Sequence, residues 1–235
     1  EPSKNVSDIA KSKGINSINK FFDKDIIKLI KQHKYNTDVI CAANVICHVP
    51  NLVELIQTID LLLSKNGKFI FEEPYMGSMF KKTSYDQIYD EHIYMFSCNS
   101  VKKIFKLFEL HLINAIPQIT HGGSMRYVIS RNKSNNKNLN KILDYEKKMN
   151  LDNLQSCMEF KKNCEISKIK LNKKVNSIKN KGKNICGYAA TSKSTTILNY
   201  CNIGKDKIDY ICDTTIDKIN KYSPGKHIPI KSMNY

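Results

Sequence analysis

Apolar residues recur along the chain in two periods. Residues 25–33 place Ile26, Ile27, Leu29 and Ile30 near one side, which predicts an amphipathic helix. Residues 51–64 do the same with Leu52, Leu55, Ile56, Ile59 and Leu63, and the Asn66-Gly67 pair reads as the turn that stops this helix. Residues 38–44 (DVICAAN) are almost continuously apolar, which predicts a strand buried on both faces. Residues 68–72 (KFIFE) alternate and predict the next strand. A short helix over 7–13 ended by Gly14, a short strand and its approach over 15–22, and a helix over 100–108 complete this part. Two strands over 110–116 and 124–131 flank Pro117 and the Gly122-Gly123 turn.

Strand and helix alternate over residues 1–116, which favours a parallel α/β sheet, and the closing strand pair suggests an antiparallel edge. The Asn-rich stretch 132–140 reads as a domain boundary. Helical spacing runs through 139–181, as one long helix or a pair. A strand over 184–189, a helix over 194–202 and a strand over 207–213 then form a small βαβ unit, and 224–230 is a turn entering an extended segment. The expected domains are residues 1–135 and 136–235.

Composition narrows the classes. The 235 residues suffice for one large domain or two small ones. No run approaches the roughly 20 apolar residues of a membrane helix, and no signal peptide is expected. The chain starts at Glu1 and is read as a fragment or processed chain. The net charge of +16 would suit nucleic acid, but all but two of the 38 basic residues are Lys, spread over helix faces. No aromatic residues interleave with the densest basic run, so a nucleic-acid partner is not expected. Eight Cys show no CxxC spacing, so free thiols, no metal site and a cytoplasmic setting are expected. Cys41, Cys186 and Cys212 lie in apolar runs and read as small core residues.

Four groups of residues could carry chemistry. Ligands of open α/β sheets bind at the carboxyl ends of the strands, where Asn44, His48, Glu72 and Glu73 fall; His48 also fits as a structural residue before Pro50. Residues 85–92 (YDQIYDEH) set Tyr89, Glu91 and His92 within four positions. A carboxylate beside an imidazole can orient it for proton abstraction near pH 7, although a surface loop has the same composition. His121, Gly122, Gly123, Ser124 and Arg126 form a Gly-rich segment that lets backbone approach a ligand, or a plain tight turn. Residues 187–194 (GYAATSKS) follow a strand, open a helix and nearly match a phosphate-binding loop, with Ser192 at the second Gly position. A nucleotide hydrolase does not follow, because too few residues remain to build its sheet. The loop could still receive a phosphate on its amides, or be a small-residue turn.

Taken in order, these segments resemble the sugar C-methyltransferases that act on nucleotide-linked 4-keto-deoxysugars. The resemblance rests on Glu1-Pro2-Ser3, residues 43–50 (ANVICHVP), 71–75 (FEEPY), 85–97, 121–126 (HGGSMR), and 187–194 with the 224–230 tail. It implies a partial Rossmann-like class I methyltransferase domain, then a helical linker and a small α/β C-terminal domain. It also implies an N-terminal zinc module and a glycine-rich first loop outside this chain. Asp90 stands where the family commonly has His, between the key residues.

The resemblance implies S-adenosylmethionine as methyl donor, contacted by Glu1 and Asn44, and a nucleotide-diphosphate deoxysugar as substrate. His92 would be the general base, oriented by Glu91, with Tyr89 and His48 donating to an enolate. His121, Gly122, Gly123, Ser124, Arg126 and Lys193 are candidates for the sugar nucleotide. Zinc would belong to the absent module alone. A monomer is expected. Two other readings stay open: a sugar-nucleotide binding protein without activity, and an O- or N-methyltransferase on another small molecule.

Overall fold

The computed structural model describes residues 1–32 and 37–233. They divide into two compact units. One comprises residues 1–75 and 93–148, the other residues 76–92 and 149–235. The boundary expected at 135/136 falls inside the first unit. The segment 76–92 groups with the second.

The first unit opens with helices α1 (Lys4–Ser12) and α2 (Lys24–Gln32). Residues 15–22 between them form no strand, contrary to expectation: Ile15, Phe21 and Phe22 are exposed and find no sheet to join. His33 of the expected helix lies outside the described residues. Strand β1 (Thr37–Ala43) leads through a 3-10 turn to helix α3 (Leu52–Leu62). Asn51 caps α3 by accepting the Glu54 N–H, and Leu52, Leu55, Ile56 and Ile59 are its buried stripe. The helix passes straight into β2 (Leu63–Pro74). Asn66 and Gly67 do not stop it; they sit in an irregularity of the β1–β2 pairing between Thr37–Leu63 and Val39–Lys68. Helix α5 (Cys98–Lys106), strands β3 (His111–Gln118) and β4 (Ser124–Ser130), and helix α6 (Lys137–Lys148) complete the unit. The intervening helix α4 (Met76–Lys82) belongs to the second unit.

The sheet order is β1-β2-β4-β3, with β1 parallel to β2 and β4 antiparallel to both neighbours. The antiparallel edge read from the sequence is therefore present. In contrast, β1 is not buried on both faces. Among the described residues it is an edge strand: Ile40 and Ala42 pack on the core, while Val39, Cys41 and Ala43 are exposed. Alternation in KFIFEE turns Phe69, Phe71 and Glu73 to the core face and Glu72 to the other. Phe71 stacks on Tyr127 at 4.8 Å and on Phe69 at 5.1 Å, and both rings meet Phe105. Each such buried ring contributes about 2–3 kcal/mol. A buried acid, Glu146 of α6, accepts the Cys98 and Asn99 N–H groups that open α5 (2.6 and 2.8 Å) and the Tyr75 hydroxyl at 2.9 Å. It thereby ties α6 to the start of α5 and the end of β2.

The second unit holds α4, a 3-10 turn at Tyr85–Gln87, helix α7 (Leu154–Lys179), β5 (Cys186–Tyr188), α8 (Ser192–Tyr200), β6 (Tyr210–Asp213) and β7 (Ile230–Ser232). The helical stretch is thus a pair, α6 and α7. The three strands run parallel in the order β5-β6-β7. Cys186 is exposed on the edge strand β5, and Cys212 is half-buried. With Cys41 on the outward face of its edge strand, none of the three is the core residue expected; Cys212, on the central strand β6, alternates with the buried Ile211 and Asp213 and so points to the less covered face. Among the described residues no helix is long and apolar enough to cross a membrane.

Candidate active site

In the first unit, the carboxyl ends of β1 and β2 meet the start of β4, as the pairs Ala43–Glu72, Glu72–Arg126 and Pro74–Ser124 show. Asn44 sits at that end. Its N–H continues the ladder to the Glu72 carbonyl at 2.9 Å, and its left-handed backbone (φ 53°) then turns the chain out of the sheet. Asn tolerates that conformation better than most residues. The turn runs on to His48, which is half-buried and donates its N–H to the Val45 carbonyl at 3.0 Å. The Cys47 carbonyl accepts the N–H groups of Ile93 and Tyr94.

The same sheet end carries the His121–Ser124 turn. His121, Gly122 and Gly123 all have positive φ (51°, 82° and 131°), so the glycines meet a conformational demand here. The Tyr75 N–H donates to Gly123 at 3.1 Å, and the buried Ser124 hydroxyl donates to the Thr120 carbonyl at 3.2 Å. Arg126 lies opposite Glu72 and gives its Oε2 two hydrogen bonds, at 3.1 and 2.9 Å, while Thr120 donates to Oε1 at 2.8 Å. Glu72 therefore fixes both the turn and the guanidinium. Arg126 remains half-exposed, but its charge is already paired. Glu1 is exposed at the chain start, and its carboxyl accepts the Ser3 N–H at 2.8 Å.

In the second unit, Tyr89 and His92 come together. Nδ1 of His92 lies 2.8 Å from the Gln87 carbonyl and Nε2 lies 2.8 Å from the Tyr89 hydroxyl, with ring centroids 4.1 Å apart. A carbonyl only accepts, so Nδ1 carries the hydrogen. In the neutral ring Nε2 then holds the lone pair and accepts from Tyr89. The Gln87 backbone holds Nδ1, and Glu91, expected to orient the ring, is exposed. Tyr85 anchors this segment. Its buried ring meets Tyr200 at 5.0 Å, its hydroxyl lies 3.4 Å from Cys201 Sγ, and Thr196 donates to the Ile88 carbonyl at 3.3 Å.

Lys193 lies in the first turn of α8, which a reciprocal Thr191–Ser194 capping box begins. The loop before it is latched by Asp213. Oδ2 accepts the Ala190 N–H at 2.7 Å and Oδ1 the Thr215 N–H at 2.8 Å. Lys218 donates to the Ala190 carbonyl at 2.8 Å and lies 3.7 Å from Asp213. These contacts, the Thr215 N–H foremost, pull the Asp213 carboxyl down to about 2. Both oxygens of Asp213 are committed to backbone N–H groups.

Residues 1–115 match the methyltransferase domain family, and residues 119–235 match the C-methyltransferase C-terminal domain family. The C-methyltransferase NovU of Streptomyces niveus is 25% identical over 235 residues, which cover 99% of this chain and 56% of NovU. The chain thus spans a little over half the length of this curated relative. Among solved structures, a SAM-dependent methyltransferase from Anabaena variabilis is 15% identical with a TM-score of 0.40, over 56% of this chain and 66% of that one. The PH0226 protein of Pyrococcus horikoshii is also 15% identical, with a TM-score of 0.34, over 55% and 68% of the two chains. The chain thus carries a methyltransferase domain followed by a C-methyltransferase C-terminal domain, matched in succession over nearly its whole length.

Proposed function

We propose that the protein carrying this chain transfers a methyl group to the carbon beside the keto group of a nucleotide-linked 4-keto-deoxysugar. The observation that carries the reading is the Tyr89–His92 pair, with an imidazole lone pair at Nε2 and Nδ1–H fixed by a backbone carbonyl. A C-methyltransferase needs a base, because a C–H next to a ketone is a nucleophile only after deprotonation. An O- or N-methyltransferase needs no base beside a ketone α-carbon.

In this mechanism the Tyr89 hydroxyl turns from Nε2 of His92 toward the ketone oxygen, and the freed Nε2 lone pair takes the α-proton. The C–H electron pair passes into the enolate, the ring becomes an imidazolium, and the Tyr89 hydroxyl donates to the enolate oxygen. His48 is carried over by resemblance as a second hydrogen-bond donor. Asn44 is exposed where β1 ends, and its carboxamide can both donate and accept, which suits a polar cofactor at a strand's carboxyl end. S-adenosylmethionine supplies the electrophilic methyl when bound there. Glu1 is carried over by resemblance as a second contact. The His121–Ser124 turn and Lys193 are carried over as sugar-nucleotide contacts, and the paired charge of Arg126 suits orienting a neutral sugar hydroxyl better than neutralising a diphosphate.

The test is the product. The full-length protein, given a methyl-labelled donor and a thymidine-diphosphate 4-keto-6-deoxysugar, forms a new carbon–carbon bond next to the ketone, read by NMR. A label on oxygen or nitrogen rejects the proposal.

A further inference from the structure

Besides Glu146, the first unit buries a second acid that the mechanism does not use. Glu73 is fully buried, on the core face of β2 beside Phe71. An acid there is costly unless it is bonded. Its Oε1 accepts the N–H of Val45 at 3.0 Å and of Ile46 at 2.7 Å. These are the two amides that follow the left-handed Asn44, where β1 has ended and no strand takes them. Oε2 is buried with no hydrogen-bond partner among the described residues, and the Cys47 thiol is a neighbour of the carboxyl group. Burial, and then Glu73 itself, push that thiol far up, so it stays protonated beside the acid.

We propose that Glu73 is a positioning residue for methyl-donor binding: from inside the core it fixes the turn after β1 in the shape that presents Asn44. The proposal rests on the reading of Asn44 as a donor contact. Its geometry is independent of that reading. A side chain that only filled the core would be apolar. A side chain that spans from one strand to the turn of the next, with one oxygen on two successive amides, sets the turn's shape. Asn44 is the hinge of that shape, bonded to β2 on one side and followed by the Glu73-held amides on the other.

The experiment uses the full-length protein with Glu73→Gln, Glu73→Met and Glu73→Asp. Gln keeps an acceptor for both amides. Met keeps the volume without an acceptor. Asp keeps the charge but withdraws the oxygens by one methylene. Calorimetry with S-adenosylhomocysteine measures affinity, and hydrogen exchange by mass spectrometry reads residues 44–48. The expected result is binding by Glu73→Gln close to the wild type, and binding by Glu73→Met weaker on the order of tenfold, with faster exchange over 44–48. If Glu73→Met does not fold, Glu73→Asp shows the same loss to a smaller degree. Unchanged affinity in a folded Glu73→Met or Glu73→Asp protein overturns the proposal, as does unchanged exchange over 44–48. A wild-type protein that does not bind S-adenosylhomocysteine rejects the Asn44 reading instead, and the proposal with it, while the exchange data still report whether Glu73 holds the turn.

Discussion

The Tyr89 hydroxyl lies 2.8 Å from Nε2 of His92, on the ring edge opposite the Gln87 carbonyl at Nδ1. One backbone acceptor thus fixes both the tilt of the ring and the nitrogen that carries its lone pair. The tyrosine guards that lone pair and must leave it before the ring takes the proton. The two residues consequently contribute unequally. His92→Ala removes the base, and methyl transfer falls by about 10²–10⁴-fold. Tyr89→Phe leaves the base and removes one enolate donor, so turnover falls by about 10–100-fold with the donor KM little changed. Steady-state kinetics on both variants checks the order. Equal losses, or a larger loss in Tyr89→Phe, contradict it.

Tyr85 links the base to the core of the second unit. Its ring is buried against Tyr200, and its hydroxyl reaches Cys201. Tyr85→Ala leaves a cavity in that core, at a cost of about 3–5 kcal/mol. It also frees the segment that carries Tyr89 and His92. Denaturant unfolding measures the first effect. Tyr85→Phe, which keeps the ring, should restore most of the stability.

Glu146 is nearly fully buried and holds three donors from two other elements. Glu146→Ala strands the Cys98 N–H and the Tyr75 hydroxyl in the core and leaves the first turn of α5 with only its Ser97 cap. The expected destabilisation is about 3 kcal/mol or more. Glu146→Gln keeps an acceptor and should lose less. Urea unfolding of the two variants ranks them.

Asp213 makes the loop before α8 acid-sensitive. Its folded pKa of about 2 lies below the ordinary carboxylate value. A carboxyl depressed on folding stabilises above its unfolded pKa and loses that contribution as pH falls through the folded one. The loss therefore runs between about pH 4 and pH 2. Melting temperature against pH should fall less steeply through this window in Asp213→Asn than in the wild type, and the two should differ most at neutral pH.

Local period made much of the first unit legible. The helical spacing of Leu52, Leu55, Ile56 and Ile59 marks α3, and the alternation of Phe69 and Phe71 marks β2. The Gly122-Gly123 turn correctly announces an antiparallel pair. Residues 15–22 look like a strand because Ile15, Phe21 and Phe22 are apolar, but a strand needs a partner and none among the described residues takes them. The DVICAA run is apolar enough for a buried strand, yet burial depends on neighbours that an edge strand lacks.

The site divides in the same way. Residues 85–92 are recognisable from their own composition. Their place in the second unit is not, because it depends on Tyr85 meeting Tyr200, far along the chain. Gln87 acts through its backbone, which no side-chain pattern reveals. Glu73 did carry a signal. Period two puts it on the face of Phe69 and Phe71, and an acid on a core face asks for a partner.

The most direct measurement is solvent deuterium exchange without a methyl donor. The full-length protein is mixed in heavy water with a thymidine-diphosphate 4-keto-6-deoxysugar, and the proton beside the ketone is followed by NMR. The account predicts enzyme-dependent loss of that proton signal in the wild type and none above background in His92→Ala. Retention of the proton by the wild type, or equal exchange by wild type and His92→Ala, contradicts the claim that His92 is the base.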